Sequence, residues 1–435
     1  MTELDGKKTK KGISFLSAVS IGIGTMVGAG IFALLGEAGA ISSTATWISF
    51  LVGGIIALLS GYSFGKLGAR YPSAGGIIEY LGQSYGTGLF TGAMGIMMYI
   101  AATVSIALVA KAFGSYAWSM MPEGTPLYWK SLYATAIVIF FVMINLNGAK
   151  SMARLETLIV GIKLLALSTF AIAGLFYINP ERLAISTYPP TGNIFYALAI
   201  TFFAYEGFRV ITNAAEDMEN PAKTLPRAII TSILIVMILY IAVAVVVFGT
   251  LSTDDVIRAQ DYALAEAARP VFGSAGFHIV AITALIATAS SINASLYAVT
   301  NITYQLAKNG QLPTAFSKPI AHSREGLVIS GILIIFLTVF LNLGEIATLG
   351  SISILIVHFF THVGHIKLRH ATGASLWLVV FAALATLAAI ILALLYESEH
   401  SPHIVMMIFL FLIASFIIEV ALRCLLNKKI ALRIN

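Results

Sequence analysis

Long apolar runs separated by short polar links make up most of the chain. An α-helix needs about 20 such residues to cross a ~30 Å hydrocarbon core, and the pattern predicts twelve crossings. They cover residues 13–35, 46–69, 85–113, 131–147, 155–178, 194–213, 227–250, 276–305, 328–344, 346–366, 374–396 and 403–424. Prolines mark several links: Pro72, Pro122, Pro126, Pro189, Pro190, Pro221 and Pro313. With no soluble domain, low-complexity tract or long linker, residues 1–435 read as a single membrane domain.

Two of these segments carry residues that a lipid-spanning helix should avoid. The first holds Gly22, Gly24, Gly28, Gly30 and Gly36, and glycine costs about 1 kcal/mol against alanine in a helix interior. A break at Gly28-Ala29-Gly30 would free backbone carbonyls on one side and N–H groups on the other. In a bilayer such groups must face protein, water or a ligand. Gly24-x-x-x-Gly28 also fits a small-residue packing face, so the first segment alone leaves both readings open. The sixth carries Glu206, Gly207 and Arg209 in an otherwise apolar helix. Charges at that depth are costly and face a cavity or the bundle interior; a self-neutralising i, i+3 pair is the plainer alternative. The two interrupted segments lie five apart. An odd number of crossings per repeat inverts the second copy, and corresponding interrupted helices point to a substrate site near the midplane. Position alone carries this inference, since no identity between the halves is visible.

Composition excludes a soluble protein: 58% of the 435 residues are hydrophobic and 11% charged. The net charge of +6 reflects sidedness rather than nucleic-acid binding. Of 26 Lys and Arg, 19 flank one side of the predicted helices; the other side holds Lys130, Arg182, Arg258 and Arg269, and Lys111, Lys163 and Arg209 lie within segments. Both termini are therefore expected in the cytoplasm. Lys7, Lys8, Lys10 and Lys11, with Ala38-Gly39-Ala40 downstream, imitate a signal peptide. The apolar stretch between is too long for one, so an uncleaved first crossing is expected. A single cysteine, Cys424, excludes an intramolecular disulfide framework.

Four motifs occur in order: Gly28-Ala-Gly-Ile-Phe32; Tyr71-Pro-Ser-Ala-Gly-Gly76; Phe202-Phe-Ala-Tyr-Glu-Gly-Phe208 running into Glu216-Asp-Met-Glu-Asn-Pro221 and Leu225-Pro-Arg227; and Leu306-Ala-Lys-Asn-Gly-Gln-Leu-Pro313. With them the chain resembles the amino acid–polyamine–organocation (APC) transporter family, nearest to the prokaryotic proton-coupled amino-acid transporters of the ApcT type. The likeness thins in the last two segments. It implies an all-α polytopic membrane protein of twelve transmembrane helices with a LeuT-like 5+5 inverted repeat, helices 1 and 6 broken, and two extra C-terminal helices. The first repeat would be 13–178, the inverted second 194–366, and the extra pair 374–424. The implied function is import of amino acids across a prokaryotic plasma (inner) membrane by alternating access. An amino-acid exchanger or a polyamine carrier is the alternative.

The chemistry of the interrupted segments agrees. A zwitterionic amino acid needs donors for its carboxylate and acceptors for its ammonium. A half-helix beginning near Gly30 offers free N–H groups and a positive dipole end; carbonyls near Val27 and Phe203-Ala204 can accept from the ammonium. By resemblance, Val27, Gly28, Ala29, Gly30 and Ile31 form one side of the substrate site and Phe203, Ala204, Glu206 and Gly207 the other, with Phe203 as an aromatic lid. Glu206 departs from the resemblance, which leads one to expect an uncharged residue there. Pairing with Arg209, proton binding and selection of a cationic side chain stay open.

Lys163 lies nine residues after Arg154, roughly 13 Å into the membrane at helical rise. Desolvation lowers a lysine pKa toward neutrality. By resemblance it lies beside Gly24, Val27, Ser290 and Ser291, where an ammonium replaces the ion of sodium-coupled members. The proton is then the coupling ion and no cofactor is expected. Lys111, near a segment end, is expected to snorkel. His358, His362 and His365 share a helical face at i, i+4 and i+7, which is ligand-like spacing. Without H-E-x-x-H or an accompanying carboxylate or thiol, no metal site and no enzyme is expected from them.

Overall fold

Ser14 caps helix α1 (Phe15–Met26), its hydroxyl accepting the Ser17 N–H. The helix stops short at Val27, and α2 (Ala29–Ser42) begins after Gly28, whose backbone (φ −147°, ψ −92°) belongs to neither helix. The predicted first crossing is thus broken at the expected glycine. This is a computed structural model, which describes residues 12–73, 75–147, 152–308, 310–321 and 323–425. Lys7, Lys8, Lys10, Lys11, Lys150, Lys428, Lys429 and Arg433 of the charge pattern lie outside the described residues, as do Ala74 and Asn309 of two motifs.

The chain continues through α3 (Thr46–Arg70), the short α4 (Ile77–Tyr85), α5 (Leu89–Ser119), α6 (Tyr128–Leu146) and α7 (Met152–Gly174). Two short helices, α8 (Thr191–Tyr196) and α9 (Leu198–Tyr205), lead into a 3-10 segment, Glu206–Asp217. The sixth crossing therefore changes its winding at Glu206 rather than opening a gap. Asn220 caps α10 (Pro221–Thr250), with Pro221 in the first turn where its missing N–H costs nothing. After α11 (Thr253–Arg258) and α12 (Ala263–Glu266) comes α13 (Arg269–Lys308), bent at Gly273 with φ +68°. A two-residue antiparallel pair, β1 (Pro319–Ile320) and β2 (Ser323–Arg324), precedes α14 (Glu325–Phe340). A capping box of Asn342 and Glu345 opens α15 (Leu343–Thr372), and left-handed Gly373 ends it. The last two helices are α16 (Leu376–His400) and α17 (Pro402–Leu425).

Among the described residues, ten stretches are long and apolar enough to cross a membrane; α1 and α14 are shorter apolar helices. Burial sorts inner from outer helices. In α5, 89% of the most apolar stretch is buried, against 17% in α6 and 22% in α17. The outer helices turn Phe140, Leu165, Phe176, Phe409 and Ile417 outward, as helices facing hydrocarbon do. One link differs from expectation. Residues 253–266, read as a polar connection, form α11, a 3-10 turn at Gln260–Tyr262 and α12, folded onto α2. The contact is close: a Cβ on Gly36 would lie 2.0 Å from Gln260 O. From the other side of it, Gln260 Nε2 donates to Glu37 Oε2 at 2.8 Å.

Candidate functional site

The two interrupted crossings meet. Thr25 Oγ1, in the last turn of α1, lies 2.9 Å from Gly207 O in the 3-10 segment. Only glycine permits this approach, because a Cβ at position 207 would fall 2.4 Å from Met26 N. Gly30 is equally enclosed: a Cβ there would lie 2.2 Å from Tyr240 Oη and 2.4 Å from Ala204 O. Tyr240, on α10, donates its hydroxyl to Met26 O at 2.6 Å and lies 3.4 Å from Ala204 O. The helix break is thus held by a phenol whose role nothing in the sequence pattern announced.

Thr25, Gly30 and Leu34 line one wall of a cavity; Ser105, Leu108 and Val109 of α5 line another. Phe203, Ala204, Glu206, Gly207, Arg209 and Val210 form its third wall, and Ser291 and Ser295 of α13 complete it. Of the expected substrate residues, Gly30, Phe203, Ala204, Glu206 and Gly207 are brought together here. Val27 and Ile31 are fully buried beside them, and Gly28 packs on Ser291, with a Cβ at 28 only 2.7 Å from Ser291 Cβ. Ala29 is the first residue of α2, following the break. Phe203 reaches α15, where its ring excludes a Cβ at Gly350. The cavity encloses about 40 Å³, room for ~3 waters. Ser105 and Ser295 were missed because helices apolar all round show no periodicity that picks out a cavity-facing side.

Glu206 Oε1 accepts from Arg209 Nε at 2.5 Å, which is the pairing alternative. Its Oε2 lies 3.3 Å from His358 Nε2 of α15, so the carboxylate is bracketed by two bases. The expected acceptor at Phe203 is engaged: Phe203 O takes the Glu206 N–H in the first 3-10 turn. Lys163 is fully buried and donates to Gly24 O at 3.0 Å, which joins α7 to α1. Ser290 and Ser291 are buried on α13. Lys111 donates its ammonium to Thr338 O, near the end of α14, at 2.8 Å. The tenth-segment histidines go to different partners. His362 bonds Ser60 and Ser63, and His365 bonds Ser63 and Thr372.

Against known proteins, residues 13–421 match the model of the family described as "Amino acid permease". The chain is 39% identical to the inner membrane transport protein YbaT of Escherichia coli over 90% of this chain and 91% of that one. It is 37% identical to an uncharacterized protein of Methanocaldococcus jannaschii over 90% of each chain. It is 28% identical to the serine/threonine exchanger SteT of Bacillus subtilis, over 72% of this chain and 71% of that one. With interrupted helices meeting around a cavity and a family match over nearly its whole length, the chain belongs to the amino acid permeases of the APC family.

Proposed function

We propose that this permease imports amino acids by proton symport with alternating access, across the plasma membrane of a prokaryote and with both termini cytoplasmic. It is a transporter rather than an enzyme. The observation that carries the reading is the pairing of a broken helix, α1–α2, with a buried lysine amine on that helix's Gly24 carbonyl. The fold proposed for it is twelve crossings, with inverted repeats at 13–178 and 194–366 and an added pair at 374–424. Contact between interrupted crossings one and six supports this, because corresponding breaks meet at the centre of such repeats.

The N-terminus of α2 offers N–H groups and a positive dipole end to the substrate carboxylate at Ala29, Gly30 and Ile31. The carbonyls of Val27 and Ala204 serve the ammonium. Phe203 O and Ala204 O now face Glu206 N–H and the Tyr240 hydroxyl, and ~3 waters' space is too small for an amino acid. Binding therefore requires α1–α2 and the 206–217 segment to separate, which is the motion alternating access supplies. Lys163 carries the coupling proton: protonated, its ammonium ties α7 to Gly24 by a charge-assisted hydrogen bond; deprotonated, it loses the charge and one of its three N–H donors, and the tie weakens.

The test is uptake of labelled amino acids into liposomes holding the purified protein, under an imposed pH gradient without sodium. Uptake that rises as external pH falls supports symport. Uptake driven only by sodium, or only by internal amino acid, overturns proton coupling. The second outcome would favour exchange, the activity for which SteT is named.

A further inference from the structure

Beyond the cavity, a line of hydroxyls and imidazoles runs through the interior between α3 and α15. Thr372 Oγ1 lies 3.2 Å from both Leu368 O and Arg369 O, which take its single proton. It therefore accepts from His365 Nε2 at 2.9 Å. With its hydrogen on Nε2, neutral His365 accepts at Nδ1 from Ser63 Oγ, 2.7 Å away. Ser63 has then spent its proton and accepts from His362 Nδ1 at 3.0 Å. His362 Nε2 in turn accepts from Ser60 Oγ at 3.0 Å. Every proton is used once and all five groups point the same way.

One end of this line reaches the surface: Thr372 is half-buried and Gly373 beyond it is exposed. The other end stops one helical turn of α15 short of His358, the neighbour of Glu206. His358 packs on Phe64 with centroids 4.6 Å apart, His362 packs on the same ring at 5.3 Å, and the two imidazoles are 6.2 Å apart. Neither His358 nitrogen completes a hydrogen bond among the described residues, and neither does Glu206 Oε2. The charged or titratable groups facing the line are Lys66 of α3 toward His365, the other two histidines toward His362, and Arg209 with His358 toward Glu206.

We propose that Thr372–His365–Ser63–His362–Ser60 is a proton wire linking the cytoplasmic end of α15 to the Glu206–His358 pair, separate from Lys163. Ser60 takes a proton from the Glu206–His358 end as it gives its own to His362 Nε2, and His362 passes its Nδ1 proton to Ser63. Ser63 gives its proton to His365 Nδ1 and His365 its Nε2 proton to Thr372, whose hydroxyl turns from the carbonyls to release one to water at the surface. Each group gives up one proton as it gains another, so no charge accumulates on the line. Rotation of His358, which already lies 3.3 Å from Glu206 Oε2, closes the remaining gap to the end of the line at His362 and Ser60, the two imidazoles being 6.2 Å apart. The inference rests on the symport reading for its purpose but not for its geometry.

The experiment uses the full-length protein in liposomes containing a pH-sensitive dye, with the standard L-amino acids as an equimolar probe mixture. Substrate-driven proton influx is compared with counterflow of labelled mixture for wild type, Ser63→Ala, Ser63→Thr and Thr372→Val. Loss of the relay should cut proton influx about tenfold or more in Ser63→Ala and Thr372→Val, with Ser63→Thr near wild type and counterflow retained in all. Wild-type proton influx in a folded Ser63→Ala or Thr372→Val protein overturns the wire. Failure of wild type itself to move protons overturns the symport reading instead. Nitrogen-15 NMR of labelled histidine then still decides the wire. It requires His365 protonated at Nε2 and His362 at Nδ1, and either opposite tautomer overturns it.

Discussion

The hydroxyl of Tyr240 lies 2.6 Å from the carbonyl oxygen of Met26, the last residue of α1 before the break. A helix ending inside a membrane protein leaves carbonyls that must find donors, and here α10 supplies one from outside the helix. Removing it by Tyr240→Phe keeps the ring and its packing on Phe50 and Tyr205. The expected cost is about 1–3 kcal/mol, seen as a lower melting temperature of the detergent-solubilised protein. An unchanged melting temperature would mean that the hydroxyl contributes nothing to holding the break.

Gly30 and Gly82 make a matched pair of substitutions. A Cβ at 30 meets Tyr240 Oη and the Ala204 carbonyl, both within 2.4 Å, whereas one at 82 in α4 meets nothing within 4 Å. Gly30→Ala should therefore lose both thermal stability and uptake. Gly82→Ala should keep uptake and gain up to about 1 kcal/mol, the helix advantage of alanine over glycine. Comparable uptake by the two variants would contradict the close packing at the break.

Breaking the Glu206–Arg209 pair from one side should be worse than removing both charges. Arg209→Met leaves a buried carboxylate with only His358 beside it, at an expected cost of about 3–5 kcal/mol. Glu206→Gln combined with Arg209→Met should recover a large part of that loss. The double-mutant cycle, read by thermal unfolding, measures the coupling, and additivity of the two single effects would show that the groups are independent.

Lys163→Ala removes the amine from Gly24 O. Accumulation driven by a pH gradient should vanish, while exchange of internal for external amino acid persists. The check is uptake beside counterflow in the same liposome preparation. Equal gradient-driven accumulation by variant and wild type would remove Lys163 from coupling.

The lipid-spanning nature of the chain, its apolar segments and the two odd ones among them were legible because a bilayer accepts only sequences that hide their backbone polarity. A glycine cluster in segment one and charges in segment six violate that demand openly. Gly28 broke its helix as expected, since nothing about a residue without a side chain holds the helix together there. Helix edges were less visible: α13 runs from Arg269, and the link over α2 is itself helical, because short amphipathic turns carry too few residues to show a period.

What the sequence determined by itself is therefore the class of solvent, the approximate crossings and the residues whose cost there demands a function. What only the tertiary structure decided is which groups satisfy one another: Tyr240 on Met26, Lys111 on Thr338, His358 beside Glu206, Ser63 between two histidines. Helices apolar on all faces bear no mark of which face turns inward, and packing in lipid is directed by shape and a few polar contacts rather than by a hydrophobic stripe. Partners far apart in the chain, such as residues 26 and 240, become neighbours only when the helices are assembled.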